Sequence, residues 1–260
     1  MFTYGVNISL LFSEYPWPER IGKVAEAGFS AFEFWFPAQY DLNILQEKKE
    51  EFGLEVALFN LNTPPQLKGL LCHPREVRQF RESLDEAISL AHRLGCHRIN
   101  TLTGKVLDGF SREEQQDCAL ENLRYAAQRL EGEGITLVFE ALNHYDNPGY
   151  FLTNSREGFR WVEEVGSPWV KFQYDLYHMQ LMEGNLVNTM RANLDKIGHI
   201  QIADVPGRHE PGTGEINYPF VLKALEEMGY QGFVNLEYIP SGRSEDSFAW
   251  LPRSARGRRK

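Results

Sequence analysis

Residues 75–102 read REVRQFRESLDEAISLAHRLGCHRINTL, and the pattern indicates a helix, a turn and a strand in succession. Apolar side chains recur every three or four residues over the first part, which is typical of an amphipathic helix. These apolar positions are Val77, Phe80, Leu84, Ala87, Ile88 and Ala91. Gly95 then follows the last apolar residue, as glycine often does at a helix C-terminus. The stretch therefore predicts one unit in which a helix leads into a strand.

The same order of helix, glycine and strand recurs along the chain. Glycine stands between a helix candidate and the next strand candidate at positions 28, 53, 95, 134, 166, 198 and 229. The strand candidates are Tyr4–Ser9, Ala31–Trp35, Leu54–Phe59, Arg98–Leu102, Thr136–Glu140, Val170–Asp175, His199–Ala203 and Phe233–Glu237. The helix candidates are Pro18–Ala27, Asn43–Phe52, Pro74–Leu94, Arg112–Glu131, Ser155–Val165 and Tyr218–Met228. Alternation of this regularity predicts an α/β fold with a single (β/α)8 TIM barrel.

The chain shows no linker or change of composition that would divide it, so we expect one barrel domain over residues 1–252. The last eight residues are different, because five of them are basic. We expect residues 253–260 to form a basic, flexible tail. The basic residues are Arg253, Arg256, Arg258, Arg259 and Lys260.

The overall charge argues against a nucleic-acid partner. The chain carries a formal net charge of −9, whereas proteins hold phosphate backbones with clustered Lys and Arg. Cys72, Cys96 and Cys118 lack the paired spacing of a zinc site or a disulfide framework, so we expect free thiols in a reducing cytoplasm. The sequence contains neither a secretory leader pattern nor a long apolar run, and we therefore expect no membrane partner.

Polar side chains lie at or near the C-terminal ends of the last four predicted strands. They are Glu140, Asp175, Gln201 and Glu237. The C-terminal ends of barrel strands meet at one rim, where such enzymes carry their reactive groups. Three carboxylates and an amide oxygen suit one divalent ion such as Mg2+, Mn2+ or Co2+. A single strand-terminal carboxylate is more often a helix cap or an Arg partner, so the set of four carries the prediction.

Two further residues are candidates for binding a substrate. His178 follows Asp175 by three positions, and we expect it in the loop after strand six; the alternative is a helix-start residue that faces solvent. Arg208 lies in the long Gly- and Pro-rich loop after strand seven, and its guanidinium group matches a planar carboxylate. The alternative for Arg208 is an ion pair with Glu210 or Glu215.

The sequence resembles the hydroxypyruvate isomerase family of the xylose-isomerase-like barrels. The resemblance rests on HIQIADVPGRHEPGTGEINY at 199–218 and FQYDLYHMQLMEG at 172–184. It implies a barrel with one divalent metal ion, whose ligands are Glu140, Asp175, Gln201 and Glu237. It also implies that Glu140 and Glu237 act as proton donor and acceptor. By similarity to related sugar epimerases, His178 and Arg208 would hold the substrate.

The chain departs from the family pattern in the loop after Pro65, where a longer Gly- and Glu-rich segment is usual. Here the loop is only QLKGLLCH at 66–73. Because this loop borders the substrate side of the barrel, it bears on which substrate is bound rather than on the type of reaction.

The resemblance implies an intramolecular oxidoreductase that interconverts hydroxypyruvate and tartronate semialdehyde through an enediolate. The partner is then a small hydroxy-carbonyl acid, and a homo-oligomer is compatible with the family. Isomerisation of 2-oxo-tetronate or epimerisation of a ketose is the nearest alternative. A metal-dependent DNA-repair phosphodiesterase is a remote one, since such enzymes need several metal-binding histidines and a basic groove.

Overall fold

Eight parallel strands close into a barrel in chain order, with β1 paired to β8. The structure is a computed structural model that describes residues 2–257. The strands are β1 (Thr3–Asn7), β2 (Ala31–Phe34), β3 (Glu55–Asn60), β4 (Arg98–Thr101), β5 (Thr136–Glu140), β6 (Val170–Asp175), β7 (Ile197–Ile202) and β8 (Phe233–Leu236). All eight predicted strands are confirmed, with their ends shifted by no more than about two residues, the usual uncertainty of such boundaries.

Helices surround the barrel in the described part of the chain. They are α1 (Trp17–Glu26), α2 (Leu42–Phe52), α3 (Val77–Leu94), α4 (Arg112–Leu130), α5 (Ser155–Val165), α6 (Leu176–Met182), α7 (Leu186–Asn193), α8 (Tyr218–Glu227) and α9 (Arg253–Arg256). The six predicted helices are confirmed as α1 to α5 and α8. Two short helices, α6 and α7, fill the connection between β6 and β7, where no helix was predicted.

Local sequence explains where several helices begin and end. Ser111 and Glu114 form a reciprocal capping box at the start of α4, which satisfies backbone N–H groups that have no partner inside the helix. Gly95 ends α3 in the left-handed conformation, at φ 63°, where a glycine carries no Cβ penalty. Gly198 is an exception among the seven glycines, because it lies inside β7 and not at a helix end.

The core lies between the barrel and its helices. Strands of a parallel barrel are covered on both faces, so their residues are nearly all buried. Aromatic rings fill the layer outside β5 and β6, where Phe139 lies 5.8 Å from Trp161 and 5.6 Å from Phe172, measured between ring centroids. The apolar stripe of α3, including Phe80 and Leu84, is buried against the sheet.

The basic C-terminal segment begins with the short helix α9. The Arg256 guanidinium group donates hydrogen bonds to the carbonyl oxygens of Leu251, Ala27 and Phe248. Residues 258–260 of the predicted tail lie outside the described residues, and the flexibility of the tail stays a prediction. The three cysteines are free and buried, as expected. Of the helices described, none is long and apolar enough to cross a membrane.

Candidate active site and metal centre

The four predicted metal ligands lie at the same end of the barrel. Glu140 and Asp175 are the last residues of β5 and β6, Gln201 is the penultimate residue of β7, and Glu237 directly follows β8. Asp175 pairs in register with Gln201. Each of the four residues is no more than 5% exposed. Strand register therefore brings the set to one rim, as the sequence predicted.

A group that could hold a metal ion lies at this rim. Glu140, Asp175 and His178 each offer one ligand atom, and these atoms lie within 4.8 Å of one another. Gln201 and Glu237 are engaged by protein partners: Gln173 Nε2 donates to Gln201 Oε1 at 2.7 Å, and Glu237 binds Arg208. The four-ligand set thus stays a prediction, of which two members lie in the group.

Burial and mutual repulsion raise the pKa values of the carboxylates at this rim. Burial, reinforced by the neighbouring Asp175 carboxylate, raises the pKa of Glu140 to about 7. Burial also raises the pKa of Glu237 well above its usual value, against the opposing effect of the Arg208 cation. Three buried carboxylates so close together need positive charge between them. The donor chemistry at this rim therefore fits a divalent cation.

His178 lies in the first turn of α6, not in a loop as predicted. Asp175 caps this helix, because its Oδ1 accepts a hydrogen bond from the backbone N–H of Tyr177 at 2.8 Å. His178 does not face solvent either, since it is 1% exposed and its Nε2 lies 3.4 Å from Asp175 Oδ2. Burial, together with the Arg208 cation, lowers the pKa of His178 well below its usual value. The imidazole is therefore neutral at physiological pH.

Arg208 reaches back from the loop after β7 into the rim. Its Nη2 donates to Glu237 Oε2 at 2.5 Å and lies 3.4 Å from Asp175 Oδ2, while its Nε donates to the Glu237 carbonyl oxygen. Among the described residues its ion pairs are with these two carboxylates, and not with Glu210 or Glu215. The Nη1 amino group takes no part in these bonds.

A buried carboxylate that sequence analysis missed holds the loop of Arg208. Asp204 Oδ1 accepts backbone N–H groups from Val205 and Ile216, and Oδ2 accepts those of Gly212 and Gly214, all within 3.0 Å. Gly214 approaches so closely that a Cβ there would lie 2.0 Å from the Val205 carbonyl oxygen. The loop is thus fastened at both ends to one side chain.

Polar side chains inside the barrel form a second group that the sequence analysis missed. Glu33 on β2 is fully buried and accepts hydrogen bonds from the side chains of Asn7, Gln201, His199 and Asn235. The bond from Gln201 Nε2, at 2.6 Å, fixes which end of the Gln201 amide points away from Glu33. Glu33 is therefore a positioning residue for a predicted ligand.

Amides on the first four strands also hold the two glutamates. Asn100 on β4 donates to Glu140 Oε1 at 2.8 Å. Asn7 on β1 donates to Glu237 Oε1 at 2.9 Å, and the Trp35 indole donates to the same oxygen at 2.8 Å. The signal in the sequence is an asparagine at the end of β1 and another within β4, each of which could have been read as an inward-facing donor.

A cavity of about 300 Å³ opens onto this rim. Glu140, His178, Arg208 and Glu237 line it. Lys68, from the short loop after Pro65, lines it too, and its ammonium group has no ion pair or hydrogen bond within residues 2–257. A larger depression of about 630 Å³ at the opposite end of the barrel contains none of the predicted site residues.

Comparison with known proteins places this site in a family. A family model described as xylose isomerase-like TIM barrel matches residues 21–254. The chain belongs to the xylose isomerase-like TIM barrel family. Within it, the hydroxypyruvate isomerase of Escherichia coli (strain K12) is 43% identical over 254 residues, covering 96% of this chain and 98% of that protein. The resemblance read from the sequence is confirmed.

Two further proteins are similar over nearly the whole chain. The 2-oxo-tetronate isomerase of Pectobacterium atrosepticum is 35% identical, covering 95% of each chain. A crystal structure described as AP endonuclease, family 2, from Brucella melitensis superposes with a TM-score of 0.93 at 36% identity, covering 96% of this chain and 98% of that one. The named activities of the two curated relatives make this chain an isomerase.

Proposed function

We propose that this barrel is a metal-dependent isomerase that interconverts hydroxypyruvate and tartronate semialdehyde through an enediolate. The observation that carries the proposal is the pair Glu140 and Glu237, buried at one rim beside Asp175 and held by amide donors. The similarity to hydroxypyruvate isomerase adds the substrate. The ion would be Mg2+, Mn2+ or Co2+, held by Glu140, Asp175, Gln201 and Glu237.

Such an ion, when bound, polarises the substrate carbonyl and acidifies the adjacent C–H bond. The two glutamates then move the proton. One removes a proton from C3, the CH2OH carbon of hydroxypyruvate, and leaves an enediolate. The other delivers a proton to C2, while the hydroxyl proton passes from O3 to O2. C3 is thereby oxidised to the aldehyde and C2 is reduced to the alcohol, without an external oxidant.

The cations of the cavity recognise the substrate carboxylate in this proposal. Arg208 offers Nη1, which is free of its bonds to Glu237 and Asp175. Lys68 adds an ammonium group at the cavity mouth. A bound acid therefore meets positive charge in the same cavity as the two glutamates, and His178 lines this cavity too.

Two other functions have specific support. The similarity to a 2-oxo-tetronate isomerase favours an acid one carbon longer, with the same proton transfer. The description of the Brucella structure raises phosphodiester cleavage in DNA. Against it, the group of possible metal ligands found in the described residues has His178 as its single histidine, where such enzymes need several.

The test is turnover by protein stripped with EDTA, before and after addition of Mg2+, Mn2+ or Co2+. Tartronate semialdehyde is followed with a coupled reductase, and 2-oxo-tetronate and abasic DNA are offered in parallel. We expect activity with hydroxypyruvate that returns with the metal. Metal-restored turnover of 2-oxo-tetronate alone would keep the site but change the substrate, and cleavage of abasic DNA would overturn the isomerase proposal.

We also propose that the enzyme acts in the reducing cytoplasm and forms a homo-oligomer. The three free, buried cysteines are compatible with a reducing compartment.

A further inference from the structure

Asn143 lies in the segment after β5, and its side chain has an unambiguous orientation. Its Oδ1 accepts the backbone N–H of Asp146 at 2.8 Å, and its Nδ2 donates to Asp146 Oδ2 at 2.9 Å. Rotating the amide by 180° would set a donor against the N–H and an oxygen against the carboxylate. Both contacts therefore select the same orientation, which is otherwise a difficult assignment for an amide.

This orientation determines what His178 meets. Asn143 Nδ2 lies 2.7 Å from His178 Nδ1, and the Asn143 backbone N–H donates to the same nitrogen at 3.2 Å. The backbone group is a donor whichever way the side chain is turned. Two donors that converge on one ring nitrogen require that nitrogen to carry a lone pair and not a proton.

We infer that Asn143 is a positioning residue that fixes His178 as the neutral tautomer with its proton on Nε2. Nε2 points to the other side of the ring, toward Asp175 Oδ2 at 3.4 Å. A protonated Nε2 has no lone pair for a metal ion, and Nδ1 has spent its own on Asn143. His178 thus acts in the site as a hydrogen-bond donor to Asp175 or to a substrate oxygen, although its position is also compatible with metal ligation.

Neighbouring contacts hold the Asn143 and His178 side chains in place. Asn143 is fully buried and His178 is 1% exposed, so water does not compete for their bond. Tyr177 O–H donates to the Asp146 oxygen that Asn143 also binds. The hydrogen-bonded chain from Tyr177 through Asp146 and Asn143 to His178 therefore determines which ring nitrogen of His178 carries the proton.

Nitrogen NMR tests the inference without any substrate, so the outcome does not depend on the proposed reaction. The inference rests on the proposed function only in taking this rim as a metal site. Full-length protein with 15N-labelled histidine is loaded with Mg2+, and long-range 1H–15N spectra are recorded at neutral pH. His178→Gln identifies the His178 signals. We expect Nδ1 at the shift of an unprotonated ring nitrogen and Nε2 at that of a protonated one. The reverse pattern would overturn the inference.

Asn143→Leu tests the cause. It removes the side-chain donor and leaves only the longer backbone bond, so we expect the Nδ1–H tautomer to appear in the spectrum. Unchanged Nε2–H signals would show that Asn143 does not fix the tautomer. Should Asn143→Leu fail to fold, Asn143→Asp is the second variant, because it places an acceptor opposite Nδ1 and should move the proton there.

Mn2+ affinity measured by calorimetry separates a donor from a ligand. We expect His178→Gln to bind Mn2+ within about 2-fold of the unaltered protein, and Asp175→Asn, the positive control, to lose more than about 10-fold. An equal loss in both variants would make His178 a ligand and overturn the inference.

Discussion

The two halves of the barrel contribute different chemistry to the same rim. Strands β5 to β8 carry the oxygens to which we assign proton transfer and metal binding, and these stand at or near the strand ends. Strands β1 to β4 contribute donors, such as Asn7 and Asn100, that hold those oxygens. Negative charge is thus concentrated on one half, while the other half contributes amides together with the Glu33 carboxylate.

The difference shows that residues of the reactive half can be recognised by their type, whereas residues of the supporting half can be recognised only by their positions in the fold. A carboxylate at a strand end suggests chemistry wherever it occurs. An asparagine inside a strand acquires a role only when its neighbour across the barrel is known. Substitutions on the two halves should therefore separate loss of chemistry from loss of positioning.

The largest effect should come from the reactive half. Glu237→Gln keeps the size of the side chain but removes a base or acid, and we expect kcat to fall by about 10²–10⁴-fold, with the far-UV circular dichroism unchanged. Glu227→Gln, at the exposed end of α8, is the control and should keep full activity. Near-normal turnover of Glu237→Gln would break the assignment of chemistry to this half.

The supporting half should give a smaller effect of another kind. Asn100→Leu removes the donor to Glu140 Oε1, and we expect metal affinity to fall by about 10–100-fold. Its matched control is Asn122→Leu, which removes a buried amide donor to the Leu71 carbonyl oxygen, remote from the carboxylates. Calorimetry should show weaker Mn2+ binding for the first variant alone. Equal affinity in both variants would contradict a supporting role for β4.

A change of pH should act through the carboxylates of the reactive half, because the amides Asn7 and Asn100 that hold two of them do not titrate. Burial raises the pKa of Glu140 to about 7 in the metal-free protein. Below that pH a proton occupies the carboxylate and must leave when metal binds, so Mn2+ affinity should rise about 10-fold from pH 6 to pH 8. Calorimetry in two buffers of different ionisation enthalpy counts the released protons. A flat affinity with no proton release would be the contrary result.

The smallest effect concerns Lys68, which among residues 2–257 is the unpaired cation that the β1–β4 half contributes to the cavity. Lys68→Met removes an exposed charge, and exposed ion pairs are worth about 0.2–1 kcal/mol. We therefore expect KM for hydroxypyruvate to rise by no more than about 5-fold, with kcat unchanged. Lys105→Met, an exposed lysine outside the cavity lining, should leave KM as it is. A fall in kcat instead would move Lys68 from recognition into chemistry.

Much of the fold was predictable because helix and strand patterns alternate with regular punctuation. The missed helix α6 shows where such reading stops. Its seven residues, LYHMQLM, are too short for a clear period, and its N-cap is Asp175. One oxygen of that carboxylate caps the helix while the other faces His178. The sequence analysis assigned Asp175 only the role of a metal ligand and not that of a helix cap. Helix α6, and with it the buried position of His178, was therefore not predicted.

The candidate ligands were predictable for a similar reason, since strand ends converge in every barrel. Glu33 was not, because nothing local distinguishes it from a solvent-facing residue of a short strand. Its role follows from four donors on β1, β7 and β8, which lie far away in sequence. The role of Asp204 was not predictable either, since its partners are backbone N–H groups that no side-chain pattern reveals.

The fastening of the β7 loop to Asp204 bears on how this barrel can evolve. Its four bonds engage main-chain groups and do not involve the Arg208 side chain, which makes its own bonds to Glu237 and Asp175. Mutation can therefore exchange the group presented at position 208 while the path of the loop is preserved. In such a loop the backbone path and the substrate-binding side chain are set by different residues. Related proteins can therefore acquire new substrates by single substitutions while the loop keeps its backbone path.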